Sequence, residues 1–304
     1  MSFNSIIGNN NVKTYLQNIC KSNKIAHSYI FSGIDGIGKS LIAKEFAKKI
    51  LCLSNDVKCD NCKSCIEFES ENHPDYIEIE PDGKNIKIDQ IRELIKKVYE
   101  KPIISSKKVY IINDADLMTK EAQNCLLKTL EEPPNYVTII LVVSNENKLL
   151  NTIKSRCLKI VFSRLNECEL KNYLQNNGIN DIEENIILRA NGSIKKLNHI
   201  YKNKETYIEI ENIISNINKM SIIDVLKKLE IFTKNKEIIN EILDYINVIF
   251  FEKIGNSGNV LENIKNCNCI KFVEETKLRI MQNANFDMCI DYLFFKIWEE
   301  KFEK

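Results

Sequence analysis

Proline, glycine, histidine and tryptophan are all scarce in this sequence. Its 304 residues include 5 prolines, 9 glycines, 3 histidines and 1 tryptophan, and no proline follows residue 164. Because proline removes a backbone donor and interrupts helices, its absence permits long helices in the second half. The histidines, His27, His73 and His199, are too scattered for a catalytic constellation, and no nucleophile is paired with a base. The sequence therefore offers no candidate for nucleophilic catalysis.

Long apolar runs and an excess of one charge are also absent. No run approaches the roughly 18 to 20 residues that a membrane-spanning helix needs, and residues 1–10 lack the pattern of a signal peptide. Lysine and arginine number 43 against 42 acidic residues, so any nucleic-acid contact must come from a local patch. We expect a soluble, cytoplasmic protein without a membrane partner.

Apolar patterns in the first half alternate between helix and strand. An opening amphipathic helix is followed by a short apolar run, His27 to Ser32, that ends in glycine. Helices are predicted near 39–52, 88–99 and 120–132. Further strands are predicted at Tyr76–Ile79, Val109–Ile112, Val137–Val143 and Leu158–Phe162. This alternation predicts an α/β fold, a parallel sheet covered by helices.

Beyond about residue 164 the strand signals stop. Apolar residues from Ile238 to Phe250 recur at helical spacing, which predicts a helical second half. This stripe and the aromatic residues Phe294, Phe295 and Trp298 are either the core of this part or contacts with another chain. The predicted domains are 1–164, 165–207 and 208–304.

A phosphate-binding loop is predicted after the first strand. The run from Gly33 to Ser40 fits G-x-x-x-x-G-K-[ST] and lies between a predicted strand and a predicted helix. The glycines, Gly36 among them, let backbone amides turn toward phosphate oxygens, and the helix N-terminus adds partial positive charge. In such a loop the lysine meets the β- and γ-phosphates and the hydroxyl holds Mg²⁺. The pattern predicts an ATP site; a glycine-rich turn that binds nothing is the alternative. The residues concerned are Gly33, Gly36, Gly38, Lys39 and Ser40.

Four of the eleven cysteines are spaced like metal ligands. Cys52, Cys59, Cys62 and Cys65 lie within 14 residues, and two-residue spacers let neighbouring thiolates converge on one tetrahedral ion. Thiolates favour Zn²⁺ over Mg²⁺ or Ca²⁺, and a closed shell of four sulfurs leaves no open position for chemistry. We predict a structural zinc site. Cys52 is its least specific ligand, because a buried free cysteine is an ordinary end to a helix.

The acidic strand end of an ATPase is altered in this chain. An intact ATPase strand ends in Asp-Glu, whereas Val109–Ile112 runs into Asn113-Asp114. Asn113 can bond a metal-bound water but lacks the charge, and Asp114 is one methylene shorter than the glutamate that poises the attacking water. We expect weak or absent hydrolysis, unless a shifted register brings Asp114 or Asp116 to the metal.

A Ser-Arg-Cys tripeptide, Ser155–Cys157, follows the Val137–Val143 strand. Alone it is a weak signal, but at this point the chain resembles the clamp-loader subunits of bacterial DNA polymerase III, members of the AAA+ family. The resemblance covers the first 200 residues. It is carried by the four cysteines and by Ala26–Gly33, His73–Asp75, Ile86–Arg92, Leu126–Pro134 and Ser155–Cys157.

The resemblance implies a fold and a set of partners. The fold is an AAA+ phosphate-loop domain with a parallel sheet and an inserted zinc module (52–65), then a small helical lid domain and an all-α collar domain. The partners are gamma/tau and delta subunits in a heteropentamer at the replisome, which loads a ring-shaped sliding clamp onto primed DNA. Arg156 would act as an arginine finger in trans on a neighbour's ATP. Lys195 stands where the family's second sensor has arginine; it can contact phosphate but cannot fork as arginine does.

Two subunit types share these motifs, delta-prime and the gamma/tau ATPase. Delta-prime is favoured by Asn113-Asp114, by the stretches at 73–75 and 86–91, and by a chain that stops at residue 304 without a long tail. A gamma/tau-type ATPase is the alternative. A nucleotide kinase would leave Arg156 and the helical half unexplained. A zinc-dependent nucleic-acid module would need stacking aromatics and a basic surface.

Overall fold

A computed structural model describes residues 3–54, 59–179, 184–256 and 258–302. The chain divides into two compact units. The first comprises Met1–Asp181 with Asn191–Lys195, and the second comprises Ile182–Ala190 with Lys196–Lys304. The division into three domains stays a prediction.

The first unit is built on a five-stranded parallel sheet of order β2-β3-β4-β1-β5. Its strands are β1 (Ser28–Ser32), β2 (Tyr76–Ile79), β3 (Lys108–Ile112), β4 (Val137–Val143) and β5 (Leu158–Val161). Its helices are α1 (Asn10–Ser22), α2 (Lys39–Leu51), α3 (Lys63–Glu69), α4 (Ile88–Val98), α5 (Lys120–Glu131), α6 (Asn151–Lys154) and α7 (Glu167–Asn176). The strands and helices expected in this half are confirmed, and β5 ends one residue before Phe162.

Both faces of the three central strands, β3, β4 and β1, are buried, which explains why these strands are mostly apolar. Every residue of β1, β3 and β4 is buried. Because successive side chains point to opposite faces, Tyr29 and Phe31 pack with α1 and α2, whereas Ile30 packs with α4 and α5. The ring of Tyr29 meets that of Phe46 on α2 edge-on, with centroids 5.3 Å apart. The unit therefore has three layers, with helices on either side of the sheet.

The parallel order brings the polar strand ends to one edge. β1 is followed by Gly33, β3 by Asn113 and β4 by Ser144. The Gly33 amide donates to the Val143 carbonyl at 3.3 Å, so the loop after β1 starts beside the end of β4. In open α/β sheets, ligands bind outside the carboxyl ends of the strands. The fold thus positions the predicted phosphate loop where a ligand site is expected.

The second unit is helical, as expected. It contains α8 (Glu184–Arg189), most of α9 (Ile194–Lys202), α10 (Lys204–Asn216), α11 (Ile222–Lys228), α12 (Glu230–Lys234), α13 (Ile239–Asn256), α14 (Val260–Met281) and α15 (Phe286–Phe302). No helix within the described ranges is long and apolar enough to cross a bilayer.

The apolar stripe on α13 belongs to the core of this unit. Its residues Ile242, Leu243, Ile246 and Phe250 are fully buried, and so is Phe294 on α15. Among the neighbouring aromatic side chains, Phe295 is exposed. The indole N–H of Trp298 donates to the Met220 carbonyl at 2.9 Å. These apolar residues were predicted to be either core or contacts with another chain. The stripe and Phe294 are core.

Candidate functional site

The loop between β1 and α2 has the backbone that a phosphate loop needs. Gly36 and Gly38 have φ values of 76° and 88°, which glycine adopts without strain. A β-carbon on Gly36 would overlap with Ser193 Oγ and Lys195 Cβ. Helix α2 begins at Lys39 without an acidic residue in its first turn, so its amides and partial positive charge favour an anion. The predicted loop residues therefore come together around one helix N-terminus.

Lys39 points into this loop. Its Nζ donates to the Ile34 carbonyl at 2.7 Å and to Ser144 Oγ at 3.3 Å. Burial lowers the pKa of Lys39, and the carboxylates of Asp35, Asp114 and Asp116 act in the opposite direction. These carboxylates favour the charged form of Lys39 against the effect of burial. Phosphate oxygens can replace the two acceptors that Lys39 Nζ now contacts.

Asn113 and Asp114, the two residues predicted to act at the end of β3, have different surroundings in the structure. Asn113 is buried, and its amide donates to a carboxylate oxygen of Glu78 on β2. Its own Oδ1 has no hydrogen-bond partner among the described residues. Asp114 has a φ of 46°, and burial raises its pKa, with Asp35 and Asp116 adding to the rise. Asp114 thus interacts with the charges around Lys39, whereas Asn113 is tied to β2.

Two residues at this edge, Ser144 and Asp35, were not singled out from the sequence. The Ser144 amide donates to Asp116 Oδ1 at 3.0 Å, and its hydroxyl accepts from Lys39. The available signal for Ser144 was its place directly after a buried strand, since parallel strands end at the same edge. Asp35 occupies a variable position of the loop motif, so no pattern distinguishes it.

The segment Asn191–Lys195 covers the loop. The Ile194 amide donates to the Gly36 carbonyl at 2.8 Å, and Lys195 Nζ lies 2.7 Å from Asp35 Oδ2. The two charged side chains are 72% and 53% exposed, so their ion pair is worth less than about 1 kcal/mol. Lys195 is therefore positioned at the loop by a weak contact that a phosphate group can replace.

The four cysteines predicted as metal ligands form one cluster. Their sulfur atoms all lie within 4.8 Å of one another. Cys52 Sγ and Cys62 Sγ are 3.8 Å apart. A tetrahedral ion with Zn–S bonds of about 2.3 Å separates its sulfurs by about 3.8 Å. The donor set and its convergence therefore fit a metal ion that prefers thiolates, and Cys52, the least specific ligand by sequence, lies within the cluster.

The thiols of this cluster differ in acidity. Burial, together with the neighbouring thiols, raises the pKa of Cys65. Burial is the largest single influence on Cys62 and would raise its pKa, but hydrogen bonds from the backbones of Cys65 and Leu53 and with the thiols of Cys65 and Cys52 together lower the pKa of Cys62 to about 6. Four thiolates cannot form side by side without a compensating charge, and a divalent cation supplies that charge.

A buried polar network joins the cysteine cluster to the sheet. Ser64, next to Cys65 on α3, donates to the Leu51 carbonyl at 2.7 Å. His73 Nε2 lies 2.9 Å from Ser64 Oγ, and the Asp75 amide donates to His73 Nδ1 at 3.1 Å. Because Nδ1 accepts a hydrogen bond, the imidazole is neutral, and burial lowers the pKa of His73. The network is complete only while His73 carries no charge.

Stability is expected to fall when the pH drops below about 6.5, the pKa of an unfolded histidine. The folded pKa of His73 is lowered, so below 6.5 the unfolded chain binds a proton that the folded chain resists. A single histidine can contribute at most about 1.4 kcal/mol between pH 7.5 and 5.5. Thermal melting at both pH values, with excess metal ion, should show that His73→Gln loses less stability between pH 7.5 and 5.5 than the wild-type protein does. His27→Gln is the control; an equal loss in all three proteins contradicts the assignment.

Arg156 lies apart from the phosphate loop, just after α6. Its guanidinium contacts Glu131 at Nη2–Oε1 2.5 Å and donates from Nη1 to the Thr152 carbonyl at 2.8 Å. Its backbone carbonyl accepts from Ser28 Oγ at 2.8 Å, which connects it to β1. The structure therefore contains three separate groups of predicted site residues: the loop edge, the cysteine cluster and this surface arginine.

Comparison with known proteins gives consistent matches. The family model for DNA polymerase III, delta subunit, matches residues 8–166. The DNA polymerase III subunit delta' of Bacillus subtilis is 39% identical over 155 residues, which are 51% of this chain and 47% of that protein. The DNA polymerase III subunit tau/gamma of Haemophilus influenzae is 37% identical over 175 residues, 57% of this chain and 25% of that protein. The chain spans between a quarter and just over half of the length of such curated relatives.

A solved structure also resembles the chain. It is a DNA polymerase III gamma subunit-related protein from Thermotoga maritima, with a TM-score of 0.54 and 19% identity over 94% of this chain and 99% of that one. At this identity the likeness concerns the fold alone. The α/β fold with a parallel sheet, the helical second half and the family resemblance inferred from the motifs are confirmed. Since the family model covers just over half of its length, the chain belongs to the family of DNA polymerase III, delta subunit.

Proposed function

We propose that this chain is the delta-prime subunit of a bacterial DNA polymerase III clamp loader and helps to load the sliding clamp onto primed DNA during replication. It binds ATP in the loop 33–40, hydrolyses it poorly and offers Arg156 to the ATP of a neighbouring gamma/tau subunit. The observation that carries the proposal is the pairing of an intact phosphate loop with an uncharged, buried Asn113 at the adjacent strand end.

Nucleotide binding is supported by the loop edge. The amides at the start of α2 and the Lys39 ammonium would receive phosphate oxygens, and Ser40 would hold Mg²⁺. Lys195 would exchange Asp35 for phosphate, since its present ion pair is largely exposed. Asp35, Asp114 and Asp116 add negative charge, so we expect weaker binding than in a loop without them.

Weak hydrolysis follows from the two altered acids. Asn113 carries no charge for Mg²⁺, and its amide is already bonded to Glu78. The raised pKa of Asp114 and its short side chain make it a poor substitute for the glutamate that orients water. The chain would thus use ATP as a bound structural element and leave hydrolysis to its neighbours.

Zinc has a structural role in this proposal. Held by Cys52, Cys59, Cys62 and Cys65, it would join the end of α2 to α3 and leave no position for substrate. Zn²⁺ supplies two positive charges to four thiolates. The ion pairs of Lys48 with Asp60 at 2.8 Å and with Glu69 at 2.7 Å also connect α2 with this module.

The proposed partners are gamma/tau and delta subunits, which form a heteropentamer with this chain through residues 208–304. The assembly would act on the sliding clamp and on primed DNA in the bacterial cytoplasm, at the replisome. A gamma/tau-type ATPase is the second candidate, because the loop motif is intact and relatives of that type also match this chain.

Reconstitution with the gamma/tau and delta subunits of the same organism tests the proposal. Lys39→Ala is expected to weaken ATP binding by the isolated chain at least about tenfold, because it removes a charge-assisted hydrogen bond to phosphate. The assembled loader should keep most of its ATP turnover with clamp and primed DNA. Lys96→Ala, an exposed lysine on α4, is the control. A loader that loses most of its turnover with Lys39→Ala contains this chain as a working ATPase, which overturns the delta-prime assignment.

A further inference from the structure

We infer that Glu131 is the positioning residue of the arginine finger: its carboxylate holds the Arg156 guanidinium in the orientation that meets a neighbour's nucleotide. The inference rests on the proposed function, and it adds a residue that the motifs did not single out for this role.

Two helix ends converge on the guanidinium. Glu131 is the last residue of α5, and Arg156 follows the end of α6. Glu131 contacts Nη2 at 2.5 Å, while Nη1 donates to the Thr152 carbonyl at 2.8 Å and to Ser155 Oγ at 3.4 Å. Because a guanidinium is planar, contacts to both terminal nitrogens determine the plane of the group.

The stability of the folded protein does not explain why a carboxylate, that of Glu131, stands at the C-terminal end of α5. The C-terminal end of a helix carries partial negative charge, so Glu131 is unfavourable there unless a cation compensates it. The side chains of Arg156 and Glu131 are 33% and 47% exposed, and ion pairs this exposed contribute little to folding. The effect of the pair is therefore on orientation.

The backbone of Arg156 is already held, which leaves only its side chain to be ordered. Its amide donates to the Ile153 carbonyl at 3.0 Å, and its carbonyl accepts from Ser28 Oγ at 2.8 Å. A free arginine side chain loses much rotamer freedom when it binds. The contact with Glu131 restricts the Arg156 side chain before any nucleotide binds. The remaining N–H groups of the guanidinium have no partner among the described residues.

The orientation of the Arg156 guanidinium should affect the transition state of ATP hydrolysis more than the affinity for nucleotide. Charge develops on the transferred phosphoryl group during hydrolysis, and the guanidinium stabilises it. A change in its orientation should therefore lower the rate constant and leave the nucleotide concentration for half-maximal rate unchanged.

The test is single-turnover phosphate release by the reconstituted loader with clamp and primed DNA. Arg156→Ala identifies the kinetic phase that depends on the finger. Glu131→Gln, which keeps the shape and loses the charge, is expected to slow that phase about threefold to fivefold at an unchanged half-maximal ATP concentration, in line with the small free energy of a partly exposed ion pair. Glu131→Asp, which keeps the charge, should restore part of the rate. Glu132→Gln is the matched control, since this exposed neighbour is not paired with Arg156 in the described part of the chain.

The outcomes separate the inference from the proposed function. If Arg156→Ala removes a phase while Glu131→Gln behaves like wild type, Glu131 does not position the finger and the proposed function stands. If Glu131→Gln speeds the phase, the carboxylate restrains the finger and the inference is overturned. If Arg156→Ala changes no phase, the proposed trans role of Arg156 fails, and the inference fails with it.

Discussion

Arg156→Ala is expected to slow ATP hydrolysis about 10³-fold at the one site that Arg156 is proposed to face in an assembled loader. The guanidinium would stabilise charge that develops on the phosphoryl group, and alanine offers neither charge nor hydrogen bonds in its place. Hydrolysis at the other sites should continue. The measurement is phosphate release after a single addition of ATP, in which one fast phase should disappear while assembly of the complex is unchanged.

Two controls make this result specific to the arginine. Arg92→Ala removes an exposed arginine whose ion pair within the described ranges is with Asp89, and it should leave every phase intact. Arg156→Lys keeps the charge but cannot form paired contacts, so it should recover a small part of the lost rate. Retention of all phases by Arg156→Ala in a fully assembled loader would exclude a role for Arg156 in trans.

The second large effect is expected from the cysteine cluster. Cys62→Ser should lose the bound metal ion and destabilise the first unit by more than about 3 kcal/mol, because loss of a metal site is among the strongest single-residue perturbations. For a domain of this size such a loss lowers the melting temperature by about 6 to 12 °C. Cys62 suits this test because hydrogen bonds from the backbones of Cys65 and Leu53 and with neighbouring thiols lower its pKa to about 6, which favours thiolate at neutral pH.

Metal content and thermal melting would be measured on the same samples. Cys168→Ser, an exposed cysteine on α7 outside the cluster, is the control and should keep both its metal and its stability. Chelation of the wild-type protein should reproduce the behaviour of Cys62→Ser. An unchanged melting temperature after complete metal removal would show that Lys48 and the network through Ser64 and His73 hold the module without an ion.

Much of the first unit was predictable because its strands carry strong local signals. β1, β3 and β4 are buried on both faces, so most of their residues are apolar. Such apolar runs can be recognised in the sequence without knowing which strands lie side by side. The phosphate loop and the cysteine cluster were predictable for a related reason. The residues of each site lie within a short stretch of chain, so their spacing alone indicates that they can converge on one ligand.

The contacts between distant parts of the chain were not predictable. Ser144 reaches Lys39 only because β4 lies beside β1, an order that no local pattern records. Asn113 was predicted to bond a metal-bound water, whereas its hydrogen bond to Glu78 depends on the pairing of β3 with β2. Glu131 and Arg156 are 25 residues apart and meet because α5 and α6 end at the same place.

The sequence by itself determined the α/β alternation, the helical second half, the glycine-lined loop and the four convergent thiols. These features depend on side-chain periodicity and short spacings, which act within a few turns of chain. Only the tertiary structure decided the strand order, the partners of Lys39, Asn113 and Lys195, and the contact of Glu131 with Arg156. Those depend on which elements pack together, a choice made by burial of apolar faces over the whole unit and not by any one segment.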